Sequence, residues 1–171
     1  MHPIVRLASE TISACVHGNR TPEPPVALPS ELPARAGAFV TIHAHGRLRG
    51  CIGTIEPTQD SLADEVIYNA VSAATRDPRF PPVAPEEVRG LEVKVDVLTA
   101  PEQIDGIDQL DPRRYGVIVQ SKRSPWKRGL LLPDLAGVDT VERQVEIARQ
   151  KARLASSEPV QLFRFSVRRY S

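Results

Sequence analysis

Leu48-Arg49-Gly50-Cys51-Ile52-Gly53 sets a thiol, a guanidinium and two glycines within six residues of an otherwise apolar run. Just upstream, Phe39-Val40-Thr41-Ile42-His43 is rich in β-branched and aromatic residues, and His45-Gly46 between the two runs is a turn signal. Residues 39–55 therefore read as a β-hairpin. Cys51 lies two residues from Arg49, a spacing that puts both side chains on one face of an extended strand. A nearby guanidinium favours the thiolate, the form that attacks electrophiles. Gly50 and Gly53 leave gaps where a ligand or another backbone can come close. The structural alternative is that Cys51 fills core space, as free cysteines usually do, while the glycines accommodate a bulge or a crossing helix.

The turn decides which residues face Cys51. A two-residue loop at His45-Gly46 sets Val40 opposite Cys51 and Ile42 opposite Arg49. A three-residue loop, His45 to Arg47, sets Thr41 opposite Cys51 and His43 opposite Arg49, the register in which a Cys-His dyad is geometrically possible. The sequence leaves both open. His43, His45 and Cys51 are metal-ligand types, but adjacent strand and turn positions rarely converge without a fourth ligand. No metal and no cofactor are expected.

Outward from the hairpin, residues 3–17 read as a helix with an apolar stripe through Ile4, Leu7, Ile12 and Cys15, closed by Gly18. Cys15 reads as a small core residue. Five prolines between Pro22 and Pro33 make an extended connector. After the hairpin, Asp60 or Ser61 caps a helix with Leu62, Val66, Ala70 and Ala73 on one side, ending before Pro78. Pro85-Glu86-Glu87 suits a short helical turn. Leu91 to Val97 alternates cleanly and is a strand with one polar face. Residues 101–114 read as a polar connector. Tyr115–Gln120 and Gly129–Leu132 are strands, Asp139 and Glu142 resemble a capping box, residues 140–154 are a helix, and Val160–Arg168 is the closing strand.

Strand, turn, strand, helix, strand thus occurs twice. A gapless shift of 79 residues aligns Gly37 with Gly116, Val40 with Val119, Arg49 with Arg128, Gly50 with Gly129, Asp60 with Asp139, Val66 with Val145 and Ala73 with Ala152. The expectation is a duplicated ββαβ unit, residues 37–98 and 116–168, whose strands share one core. The first copy carries an insertion at about 78–90. Cys51 becomes Leu130 and Gly53 becomes Leu132 in the second copy, so only the first hairpin carries a candidate chemical site.

The chain has 171 residues, 41% of them hydrophobic, enough to bury roughly 70% of its unfolded surface as a single domain. Lys and Arg number 22 against 21 Asp and Glu, a net charge of +1. That balance, with 5% aromatics, argues against a dedicated nucleic-acid binder. The basic turn Lys122-Arg123-Ser124-Pro125-Trp126-Lys127-Arg128 reads as a solvated hairpin tip. Met1 to Arg6 lacks the long apolar core of a signal peptide, and no run approaches the ~18 apolar residues of a membrane span. Two cysteines make no disulfide framework. A cytoplasmic protein without membrane or nucleic-acid partners is expected.

The chain resembles a known family in several places: Leu48–Gly53, Gly37-Ala38-Phe39-Val40-Thr41, Ala73-Ala74-Thr75-Arg76-Asp77-Pro78-Arg79-Phe80, Val95-Asp96-Val97-Leu98, Tyr115-Gly116-Val117, Leu130-Leu131-Leu132-Pro133 and the closing strand near Phe163. It is identified as a member of the AMMECR-one domain family, whose bacterial and archaeal members are called AmmeMemoRadiSam system protein A. The resemblance spans essentially the whole chain. It implies an α+β fold, an antiparallel sheet flanked by helices with a smaller second lobe, and a signature near the cleft between lobes. It implies association with a Memo-like protein and a radical-SAM protein, and supplies no reaction. The turn at Ser121–Arg128 is longer and more basic than the family pattern. The resemblance also draws Asp77 and Arg79 toward the hairpin site; their structural alternative is a local ion pair, worth ~0–1 kcal/mol when exposed.

Two function classes follow. In the leading one, a small enzyme or enzyme-system component uses Cys51 as nucleophile or covalent carrier. Arg49 activates it or holds an anionic group, Gly50 and Gly53 make room, and Asp77 and Arg79 position the substrate. In the alternative, the same region is a non-catalytic binding or regulatory module for a peptide or partner protein.

Overall fold

The computed structural model describes residues 1–25 and 28–171; Val26 and Ala27, within the proline-rich connector, lie outside the described residues. Among the described residues eight strands form two antiparallel four-stranded sheets. The chain divides into a first unit, Met1–Leu98 with Arg168–Ser171, and a second, Thr99–Val167.

The first unit begins with α1, Pro3–Val16. Pro3 enters at its first turn, where a missing N–H is harmless, and His2 caps it by accepting from the Ile4 N–H. Ile4, Val5, Ala8 and Ile12 are buried along one stripe, and Gly18 turns the chain at a φ of 71°. Cys15 is only partly buried, so it borders the core rather than filling it. Strands β1 (Ala38–Ala44) and β2 (Arg47–Gly53) form the expected hairpin. α2 runs Leu62–Thr75, capped by Ser61. A short 3-10 turn at Pro85–Gly90 leads into β3, Leu91–Leu98. The sheet order is β2-β1-β3-β8, where β8 is Val167–Tyr170. Ala38, Val40, Ile42 and Val95 on its inner face meet Leu62, Val66, Ala70 and Ala73 of α2 in one apolar cluster. Burying each Val, Leu or Ile there contributes roughly 1.5–3 kcal/mol.

The second unit holds β4 (Glu102–Ile104), β5 (Gly116–Ser121), β6 (Arg128–Leu131), α3 (Val141–Lys151) and β7 (Val160–Phe165), with sheet order β4-β7-β5-β6. Val117, Val119, Leu131 and Ala148 sit in its own cluster.

Three expectations need correction. Among the described residues the two copies of the strand-helix pattern do not share a core; the buried apolar residues form two clusters, one with α1 and α2 and the other with α3. The segment at 101–114 is not a plain connector, since Glu102–Ile104 pairs with β7; three residues are too few to show a period. The closing strand is two strands. It breaks at Ser166, whose N–H bonds the Thr99 hydroxyl, and its halves join different sheets.

The hairpins differ as well. Gly50 pairs with Ile42, whereas Gly129 pairs with Val119. Ile42 is therefore the partner-for-partner counterpart of Val119, and the gapless alignment of Val40 with Val119 slips by two residues. The glycines themselves do the same job. A Cβ on Gly50 would collide with the Ala73 carbonyl oxygen, and one on Gly129 with the Ala148 carbonyl oxygen, so each lets a helix backbone rest on the hairpin.

Candidate functional site

The turn at His45-Gly46 has two residues, both at positive φ (51° and 73°), the pattern of a tight I′ hairpin. The register does not run straight down from it. His43 faces Leu48, then Ile42 faces Gly50, so Arg49 is an extra residue in a bulge. Below the bulge Thr41 faces Cys51. The molecule thus combines the short turn of one sequence register with the Thr41–Cys51 pairing of the other. His43 is not opposite Arg49 and no Cys-His dyad forms. Its buried Nδ1 has no partner among the described residues.

A bulge re-aims its side chain. Arg49 leaves the sheet face and clamps the segment after α2. Its Nε and one terminal nitrogen bond both oxygens of Glu87 at 2.7 and 2.9 Å, and its guanidinium also donates to the carbonyls of Pro81 and Pro82. Glu87 in turn accepts from the Ala84 N–H. The Arg49 hydrogen bonds, followed by that N–H, hold the Glu87 carboxyl below its usual range.

β2 is an edge strand, and the backbone of Cys51 turns outward. Its N–H donates to Asp77 Oδ2 at 2.9 Å, and its carbonyl accepts from Arg79 at 3.3 Å. Asp77 and Arg79 are also joined side chain to side chain, Nε to Oδ1 at 3.0 Å and a terminal nitrogen to Oδ2 at 2.8 Å. The pair therefore completes the hydrogen bonding of a bare sheet edge, where an unpaired strand would invite another chain. Asp77 is 2% exposed at its side chain and Arg79 55%. Arg79 first, and the Cys51 and Arg79 amides after it, hold the Asp77 carboxyl far below the carboxylate range, against burial, which pushes the other way.

The Cys51 thiol lies on the outer face of the sheet, 3.3 Å from the Thr41 hydroxyl. Burial pushes its pKa up; the Thr41 hydrogen bond and the Arg79 charge offset this only in part. Residues opposite one another across antiparallel strands share a face. One row reads Cys51, Thr41, Lys94; the next reads Gly53, Phe39, Asp96. The Phe39 ring lies where a Cβ of Gly53 would be, and Asp96 is tied to Arg169 at 2.8 and 3.1 Å. Lys94 is partly buried and makes no hydrogen bond or ion pair among the described residues.

Of the sequence candidates, Cys51, Asp77 and Arg79 come together directly. Arg49 goes elsewhere, and the room at Gly50 and Gly53 is taken by the chain's own Ala73 and Phe39. Sequence reasoning missed Glu87 and Lys94, and set Thr41 opposite Cys51 in only one of its two open registers. Glu87 had no visible signal, since its partner is 38 residues away; Thr41 and Lys94 follow once the bulge fixes the register. It also missed Glu65, fully buried on α2, whose carboxylate accepts from the Thr54 and Thr58 hydroxyls and the Thr58 and Gln59 amides. Burial opposes its ionisation, but those hydrogen bonds win and its pKa is lowered.

With this geometry in view, a family model described as AMMECR1 matches residues 5–170. The chain belongs to the AMMECR1 family. A Thermotoga maritima relative is 50% identical over 99% of this chain and 97% of its own length. A Clostridium acetobutylicum relative, Protein CA_C1420, is 43% identical over 98% of this chain; the match spans only 36% of that longer protein. The crystal structure of the uncharacterized protein PH0010 from Pyrococcus horikoshii shares the fold, with a TM-score of 0.86, 33% identity and coverage of 97% of this chain and 88% of that one. The AMMECR1 fold is therefore mixed α and β with two antiparallel sheets. Among the described residues no helix is long and apolar enough to cross a membrane.

Proposed function

We propose that this AMMECR1 chain is a non-catalytic recognition module. In this reading its first sheet presents Cys51, Thr41 and Lys94 to a ligand or partner segment carrying an anionic group. Lys94 supplies the charge, Thr41 the hydroxyl, and Arg79 borders the row at the sheet edge. Asp77 holds Arg79 in place. We place it in the cytoplasm as AmmeMemoRadiSam system protein A, with a Memo-like protein and a radical-SAM protein as its partners.

The observation that carries this reading is the commitment of Arg49 to Glu87. It removes the group that would have activated the thiol, and burial pushes the Cys51 pKa up. A thiol without a base or a dedicated cation is a poor nucleophile. The enzyme reading retains one specific support, the partial exposure of Cys51 on the same face as Lys94.

Alkylation of Cys51 against pH, in a Cys15→Ala background, separates the two. The recognition reading expects slow labelling at neutral pH and an apparent pKa above the free-thiol value of roughly 8.5. Fast labelling at pH 7 with a pKa below that value overturns it and restores Cys51 as nucleophile.

A further inference from the structure

The tip between β5 and β6 carries the chain's only tryptophan, and Trp126 is 78% exposed. Lys122, Arg123, Lys127 and Arg128 around it are exposed, and none of their side chains meets a carboxylate among the described residues. From 112 to 133 the sequence holds six cations and no Asp or Glu; four of the six lie in the turn itself, with the Glu158 carboxylate at its base on Ser121.

The turn is also built to hold its shape. The Ser121 hydroxyl oxygen accepts from the Arg123 and Ser124 amides and donates to Glu158 at 2.6 Å. The Lys127 N–H closes onto the Ser124 carbonyl, and the Ser121 N–H onto the Lys127 carbonyl. A large aromatic is thus held in water by a preformed loop, left largely uncovered by the described residues.

We propose that this tip docks on an anionic lipid surface, with the Trp126 indole at the headgroup level and the four cations over the lipid phosphates. Trp prefers that interface, and basic residues beside it add attraction to anionic lipid. One aromatic on a convex turn fits a broad planar surface. Single-stranded nucleic acid is usually held in a groove with several stacking platforms, and this end offers neither. The expectation of no membrane contact rested on the lack of a long apolar stretch, which bears on spanning and leaves surface docking open.

Trp126 reports on its own surroundings. The full chain is titrated at low salt with vesicles of equal parts phosphatidylglycerol and phosphatidylcholine, with pure phosphatidylcholine vesicles and with a single-stranded thymidine oligomer. The expected result is a blue shift of emission with the anionic vesicles alone, reversed by salt. Replacing Lys122, Arg123, Lys127 and Arg128 with Gln is expected to weaken partitioning roughly a hundredfold or more, with an unchanged circular dichroism spectrum. Co-sedimentation of Trp126→Ala with the same vesicles is expected to show weaker binding as well. Absence of a shift with anionic vesicles overturns the proposal. So does a shift that survives the Gln substitutions, or quenching by the oligomer without a vesicle response, which would make the tip a nucleic-acid site.

Discussion

Arg49 and Glu87 form a two-pronged ion pair across 38 residues of chain, with the Arg49 side chain only 14% exposed. The guanidinium that lies two residues from the cysteine thus serves as a strut for the segment following α2. Arg49→Lys keeps the charge but loses the fork and the carbonyl contacts. It should destabilise the first unit by about 1–3 kcal/mol, measured by urea unfolding. The alkylation pKa of Cys51 should barely move, which an activating role for Arg49 would not allow.

Asp77 gives the fold an acid limit. Its folded pKa is depressed, as are those of Glu87 and Glu65. A depressed carboxylate stabilises fully above its unfolded value, roughly 3.9–4.3 for Asp and Glu, and less as pH falls through its folded value. Stability should hold flat from neutral pH to about 5 and then drop. Asp77→Asn should cost about 2–4 kcal/mol at pH 7 and make the acid limb shallower, as followed by denaturant midpoints against pH.

Glu65 organises the loop 54–59 from beneath. Glu65→Gln retains size but turns one acceptor into a donor facing groups that already donate. The expected cost is about 1–3 kcal/mol, with hydrogen exchange at the Thr58 and Gln59 amides accelerated well beyond that of α1.

Gly50 and Gly129 are both pressed by a helix carbonyl. Gly50→Ala and Gly129→Ala should each destabilise by about 1–3 kcal/mol or more, visible as a lowered Tm. If Gly50 were open space for a ligand, Ala would be tolerated there and only binding would change.

Much of the fold was legible because its signals are local. Alternation named β3, the prolines and glycines marked the ends of α1 and α2, and Ser61 caps α2 as a short polar residue does; the cap of α3 is Thr140, one residue after the Asp139 expected from the capping-box pattern. What the sequence withheld depends on pairing at a distance. One extra residue at Arg49 changes which side chain meets Cys51, and no propensity announces a bulge. Likewise Val160–Arg168 reads as one strand, because nothing local at Ser166 says that its halves go to different sheets. The insertion at 78–90 was visible as a length difference between the two copies. The family resemblance drew Asp77 and Arg79 toward the hairpin; that Glu87 from this insertion braces it as well was not visible.

The division at Ser166 makes the first unit discontinuous, with the second spliced into it. The Thr99 N–H bonds the Ser166 carbonyl at 2.9 Å and the Ser166 N–H bonds the Thr99 hydroxyl at 2.8 Å, so the two ends of the inserted stretch meet. During synthesis every residue from 99 to 167 must therefore be made before Arg169 can reach Asp96. The first sheet waits, one strand short, while the later part of the chain folds. The same closure marks where a protein engineer could cut, since a short turn joining Leu98 to Val167 would bridge a gap that Thr99 and Ser166 already span.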